Sequence, residues 1–252
     1  MKRFRSSAIL LLLPAVLLLV SCGNNATPGS NPVVPSGSFS NASLKGSYVF
    51  TAAGTDPTDG DYFVAGSLQA DGAGNVTGIE DVNLGSGVDS AVPVTGTYLV
   101  DSTGHGAFTL NDVNGFRDSV LIQLSNSGAS TVTDFDTSGG TGTFESQNLA
   151  GFVRSGSYTF QLSGSDLTGA LTVTGAFNVD SLGNVSGGTQ TLVGAGNTTT
   201  TTFSGVMQVA FDGGRGRIIL GSNSFSYYVV NANRIILTGL DQNTFLHGDS
   251  KK

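Results

Sequence analysis

The sequence predicts an all-β protein of two tandem antiparallel meander units, each an up-and-down eight-stranded barrel, with β-sandwiches as the alternative architecture. Three observations carry this reading. Apolar and polar side chains alternate with a period of two. Glycine (37 residues), serine, threonine, asparagine and aspartate separate the alternating stretches, and tryptophan is absent. One pattern then recurs after 109 to 110 residues.

The alternation places the strands. Tyr48, Phe50 and Ala52 alternate with Ser47, Val49 and Thr51, and Tyr158, Phe160 and Leu162 alternate more cleanly with Ser157, Thr159, Gln161 and Ser163. Ile122 and Leu124 alternate with Gln123 and Ser125, while Phe225, Tyr227 and Val229 share a face. Successive strand residues point to opposite faces, so such stretches have one face on a core. About eight strands follow in the first unit, near 46–53, 62–70, 75–83, 93–100, 105–111, 117–125, 130–136 and 141–147. Hairpin-length loops such as Asp71-Gly72-Ala73-Gly74 and Asn126-Ser127-Gly128 separate them. Sequence neighbours therefore pair, and eight twisted strands remove their exposed edges by closing. A Greek-key sandwich would need longer crossing connections.

The repeat sets the domains. Gly46-Ser47-Tyr48-Val49-Phe50 recurs as Gly156-Ser157-Tyr158-Thr159-Phe160. The segment Asp71-Gly72-Ala73-Gly74-Asn75-Val76-Thr77-Gly78 recurs as Asp180-Ser181-Leu182-Gly183-Asn184-Val185-Ser186-Gly187. Gly104-His105-Gly106 aligns with Gly214-Arg215-Gly216. The period is too long for a solenoid unit, so each copy is expected to be a domain that folds separately, at residues 43–150 and 151–252.

Residues 1–21 have the parts of an export signal: basic Lys2, Arg3 and Arg5, an apolar run over 8–20, then Ser21. The run is short for a membrane span, contains Pro14 and ends at Cys22 rather than at a basic cluster. Residues 22–42 read as a flexible linker rich in Pro, Gly and Ser, with a coil reach of ~25 Å.

Without the three signal cations, 8 basic face 18 acidic residues, so the mature chain sits near −10. Such a body, with no basic cluster, is a poor partner for nucleic acid or anionic lipid heads. Cys22 is the single cysteine, so neither a disulfide nor a cysteine nucleophile is available once it is acylated.

Leu19-Val20-Ser21-Cys22 resembles the lipobox of bacterial lipoproteins, which implies cleavage before Cys22 and lipidation of its thiol. Gly23 stands where aspartate is the usual inner-membrane retention signal, so the resemblance implies an envelope location at the outer membrane in a cell that has one. The hairpin from Gly46-Ser47-Tyr48 through Asp71 to Gly78 is similar to the opening of avidin-type barrels, without their tryptophans. The whole layout resembles exported tandem-repeat lipoproteins of the acidobacterial type. The carriers are Leu44-x-Gly46-x-Tyr48-x-Phe50 and the Asp71-to-Gly78 motif, of which the second copy keeps Asp180, Gly183, Asn184, Val185 and Gly187. That resemblance implies no activity and no cofactor.

The remaining chemistry is sparse. Asp71, Asn75, Asp180 and Asn184 offer oxygens, but calcium wants six to eight, usually including several close carboxylates. A hairpin turn is the preferred reading, and no metal site is expected. His105 and His247 have no nucleophile partner in a recognisable motif and are expected to be solvated or hydrogen-bonded. Glu80 and Asp81 are adjacent on a strand and must face opposite ways, which rules them out as a catalytic pair. Thr198 through Thr202 suit a strand. No catalytic or cofactor-binding residue emerges. The sequence leaves a structural or surface-interaction role, held to the membrane through Cys22 and meeting a protein or glycan partner. A barrel that binds a small ligand is the alternative. Interior packing separates them: a spacer should have Tyr48, Phe50, Tyr98, Tyr158 and Phe160 through its centre.

Overall fold

The computed structural model describes residues 39–252 apart from 59, 85–86, 114–116, 125–128, 135–138 and 243. The signal segment and Cys22 lie outside the described residues.

The first barrel comprises β1 (Gly46–Asp56), β2 (Gly60–Ala70), β3 (Asn75–Leu84), β4 (Gly87–Val100), β5 (His105–Asp112), β6 (Arg117–Gln123), β7 (Ala129–Asp134) and β8 (Gly140–Ser146). Each strand pairs antiparallel with the next, and β1 pairs with β8 from Tyr48↔Ser146 to Gly54↔Gly140, closing the ring. The second comprises β9 (Gly156–Asp166), β10 (Gly169–Val179), β11 (Asn184–Gly194), β12 (Asn197–Met207), β13 (Arg215–Leu220), β14 (Asn223–Asn231), β15 (Arg234–Gly239) and β16 (Thr244–Lys251). It closes through β16 on β9, and its shortest seam is β12 on β13, where only Gly205, Val206 and Met207 pair. The meander excludes the sandwich, because no strand crosses between sheets.

Interior packing explains the repeated motif. Phe50 stands opposite Gly66 in the β1–β2 register, and Phe160 stands opposite Gly175 in β9–β10. A Cβ on Gly66 would lie 2.3 Å from Phe50 Cε1, and one on Gly175 2.6 Å from Phe160 Cε1. Each ring therefore covers a bare stretch of neighbouring backbone, a cross-strand use of glycine that keeps the barrel tight. Ring stacks carry the packing across the centre: Tyr48 on Phe144 at 4.6 Å and Tyr98 on Phe108 at 5.3 Å, then Tyr158 on Phe177 at 5.1 Å. Each barrel thus has its own continuous apolar core.

The body starts earlier than the linker reading placed it. Phe39 packs against the first core, a 3-10 turn spans Asn41–Leu44, and Leu44 is fully buried. Asn41 Oδ1 accepts from Val100 N at 2.8 Å, which fixes the chain on the end of the barrel where β1 begins. We call this the entry end. Residues 147–155 cross from it to the start of β9.

The two barrels form one compact unit, Ser36–Lys252. A third apolar cluster joins their outer faces: Val49, Phe63 and Ala65 of the first barrel against Tyr228, Val230 and Ile236 of the second. Strands β1 and β2 are consequently buried on both faces through their middles. Each barrel thus covers apolar surface that the other would leave exposed on its own.

Candidate functional site

The Asp-x-x-Gly-Asn motifs form hairpin turns at the entry end. Asp71 Oδ1 accepts from the amides of Ala73 (2.7 Å), Gly74 (3.0 Å) and Asn75 (3.0 Å), while Oδ2 accepts from Asn75 Nδ2 at 2.7 Å. Asp180 bonds Asn184 in the same way, through its amide and Nδ2, both at 2.8 Å. Gly74 and Gly183 have φ of +112° and +93°, and their carbonyls accept from Tyr98 N and Met207 N, stitching each turn to the following strand. Side-chain and backbone bonds from Asn75 hold the Asp71 carboxyl down to about 2. The sequence reading missed a third copy. Asp101 accepts from Thr103 N, Thr103 Oγ1 and His105 N, and the hydroxyl bond from Thr103 leads in holding its carboxyl at about 2. The signal was present, since Asp101-x-x-Gly104 keeps the Asp-to-Gly spacing, but His105 stands where the others have asparagine.

His105 is exposed, with Nδ1 2.7 Å from Thr103 Oγ1. His247 is partly buried, packed between aromatic rings. It stacks on Phe63 with ring centroids 4.0 Å apart and meets Phe245 edge-on at 5.5 Å, inside the barrel junction. Burial there pushes its imidazole down to about 4.

Glu80 and Asp81 do face opposite ways. Glu80 shares the inward face of β3 with Val76 and is buried, whereas Asp81 enters the junction with no exposure. Arg215 Nε donates to Asp81 Oδ2 at 2.7 Å and Nη2 donates to Oδ1 at 2.6 Å. Tyr228 OH donates to Oδ2 at 2.5 Å, and Ser90 Oγ and Ala91 N donate to Oδ1. Burial pushes the Asp81 carboxyl up, but the Arg215 and Tyr228 bonds and the Arg215 charge outweigh it and leave it below the usual carboxylate range. Tyr228 is pushed well above the ordinary phenol value by burial and by the adjacent carboxylate. A second ion cluster holds the entry ends together, with Arg234 bonding Glu145 at 2.7 Å and Asp249 at 3.0 Å. These groups are bonded to one another and arranged as a clamp between barrels.

Two clefts lie outside the barrel interiors, on either side of Leu149. One, about 430 Å³, runs along the junction past Ser47, Ser67, Gln69, Thr77, Pro93 and Gln147. Ser67 Oγ is buried beside it, close under Gly213, and has no hydrogen-bond partner among the described residues. The other, about 280 Å³, lies at the entry end of the second barrel among Leu149, Phe152, Arg154, Val209 and Phe211. Residues 198–202 lie on an exposed stretch of β12, paired with β11 and, below Gly205, not with β13; Thr200 Oγ1 lies 3.1 Å from Thr191 Oγ1.

The fold defines the protein as a tandem eight-stranded β-barrel. The sequence matches no protein-family model and no curated protein. Among solved structures it is similar to kievitone hydratase from Nectria haematococca, at 11% identity over 90% of this chain and 95% of that one, with a TM-score of 0.27. It is also similar to an AttH-type protein from Nitrosomonas europaea, at 10% identity over 90% of this chain and 98% of that one, with a TM-score of 0.25. At those scores neither likeness bears on chemistry.

Proposed function

We propose that this chain is an exported lipoprotein of the bacterial envelope, anchored at the outer membrane through acyl chains on Cys22. In this reading it is non-catalytic and works by outer-surface contact with a protein or glycan, as its resemblance to tandem-repeat lipoproteins of the acidobacterial type suggests. The observation that favours surface contact over ligand carriage is the packing of both centres. Tyr48, Phe50 and Tyr98, and likewise Tyr158 and Phe160, are buried inside their barrels, where a carrier would keep space for its ligand. The fused junction favours a stiff body that presents fixed faces.

Two measurements test this. Metabolic labelling with a palmitate analogue should mark the wild type and not Cys22→Ser, since the thiol is the acyl acceptor. Label retained by Cys22→Ser overturns the anchor. Native mass spectrometry of protein purified from its producing cells should show the polypeptide mass with no stoichiometric small molecule. A ligand released on unfolding would instead establish the carrier function.

A further inference from the structure

We infer that the entry end of the second barrel is a membrane-resting face, which seats in the headgroup region of the bilayer that carries the anchor. The inference rests on the lipoprotein reading for its location and on surface chemistry for its content. Large apolar side chains are exposed together there: Phe211 at 72%, Val153 at 59%, Val209 at 56% and Leu149 at 44%, with Leu182 at 76% on the adjacent turn. Phe211, Val209 and Leu149 converge on one cleft with Arg154, whose guanidinium holds the Leu182 turn by donating to Ser181 O at 2.9 Å. Lys252 reaches the same place, donating to Val153 O with its ammonium 5.1 Å from the Phe152 ring centre. Exposed apolar side chains gathered at one end of a body are what a bilayer interface accommodates.

Placement singles out the membrane as the occupant. The chain enters the described body at Phe39, against Gly104 on the entry end of the first barrel. Gln147 Nε2 donates to Gly213 O at 2.7 Å and Arg234 bonds Glu145, so the entry ends of the two barrels are joined. Sixteen residues separate Cys22 from Phe39, a reach of ~20–24 Å for a flexible chain of that length. An anchored body is thereby held at high effective concentration over lipid with this end within reach, so a weak contact suffices. The anchor supplies retention, and the apolar face supplies orientation.

The test separates the two claims. The mature chain carrying Cys22→Ser, which has no acyl chain, is floated with vesicles of phosphatidylethanolamine and phosphatidylglycerol. Weak binding is expected, falling by about tenfold when Phe211→Asp and Val209→Asp are added. In a second arm, Phe211→Cys is placed in the acylated protein, where position 211 offers the single free thiol, and labelled with an environment-sensitive fluorophore. On the same vesicles its emission should shift to the blue and be quenched by spin-labelled lipid. Absent flotation together with a water-exposed fluorophore overturns the resting face while leaving the anchor intact. A Phe211-dependent dimer in solution that survives on vesicles overturns it in favour of a second copy of the chain. A wild type that takes up no palmitate label removes the anchor, yet the Cys22→Ser flotation arm still decides the face.

Discussion

Arg215 grips Asp81 across 134 residues of sequence, Nε on one carboxylate oxygen at 2.7 Å and Nη2 on the other at 2.6 Å. The pair joins the two barrels in a place from which water is largely excluded, and Tyr228 completes it. Desolvating two charges costs several kcal/mol each, so the pair is a weak source of net stability but a strong determinant of how the barrels dock. Arg215→Ala should destabilise the protein by about 3–5 kcal/mol, since it strands a buried carboxylate. The double variant Asp81→Leu, Arg215→Met should lose less than Arg215→Ala alone. Denaturant unfolding of the single and double variants checks this, and additive losses would mean the pair is not coupled.

His247 should make stability pH-dependent. Its folded value of about 4 lies below the ordinary 6.5. Between those values the unfolded chain takes up a proton at this ring that the folded junction refuses. Stability should fall as pH drops from 6.5 to 4, by at most about 1.4 kcal/mol per pH unit from this group, and be flat in its contribution above 6.5. His247→Phe keeps a ring against Phe63 and should flatten that window. A melting-temperature profile unchanged by the substitution would show that another group titrates there.

The entry-end turns should respond to acid in a lower range. Asp71 and Asp101 are each held at about 2, so their contribution is present above the ordinary carboxylate range and is lost as pH falls through about 2. Gly183→Ala should be worse than Asp180→Ala. It forces a side chain onto a φ of +93° and sets a Cβ 2.3 Å from Met207 O, a conflict of about 1–3 kcal/mol. Thermal unfolding of both variants, with and without calcium, reads the comparison. A calcium-dependent rise in melting temperature that disappears in Asp71→Ala would convert the turn into an ion site.

Residues 43–150 and 151–252 expressed apart should each be less stable than the whole chain, because each exposes its side of the Val49, Phe63, Tyr228 and Ile236 cluster. Mixed together, they should reassociate and recover a transition near that of the intact protein. Calorimetry of each half and of the mixture decides it. Halves that melt at the intact temperature would make the junction energetically silent.

The sequence by itself determined the strands, the turns and the barrel interiors. Seven of the eight expected strands of the first unit fall within about three residues of the observed ones, whereas β4 begins at Gly87, six residues before the expected 93; side-chain alternation reports directly which residues face inward. The Asp-to-Gly turns were equally legible, since the local backbone bonds that form them lie within four residues. What only the tertiary structure decided is which outer faces meet. Val49 stands in β1 where β9 has Thr159, and it joins the unbroken apolar runs Tyr62 to Ala65, Tyr227 to Val230 and Ile235 to Leu237 in a departure from alternation that is the local trace of the junction. It records that a second face is apolar without recording its partner. Asp81, Arg215 and Tyr228 carry no shared sequence pattern, and His247 sits in a short strand that alternation alone would leave wet. Their chemistry is set by desolvation and by charges brought together from more than a hundred residues away, and period and spacing hold no record of either.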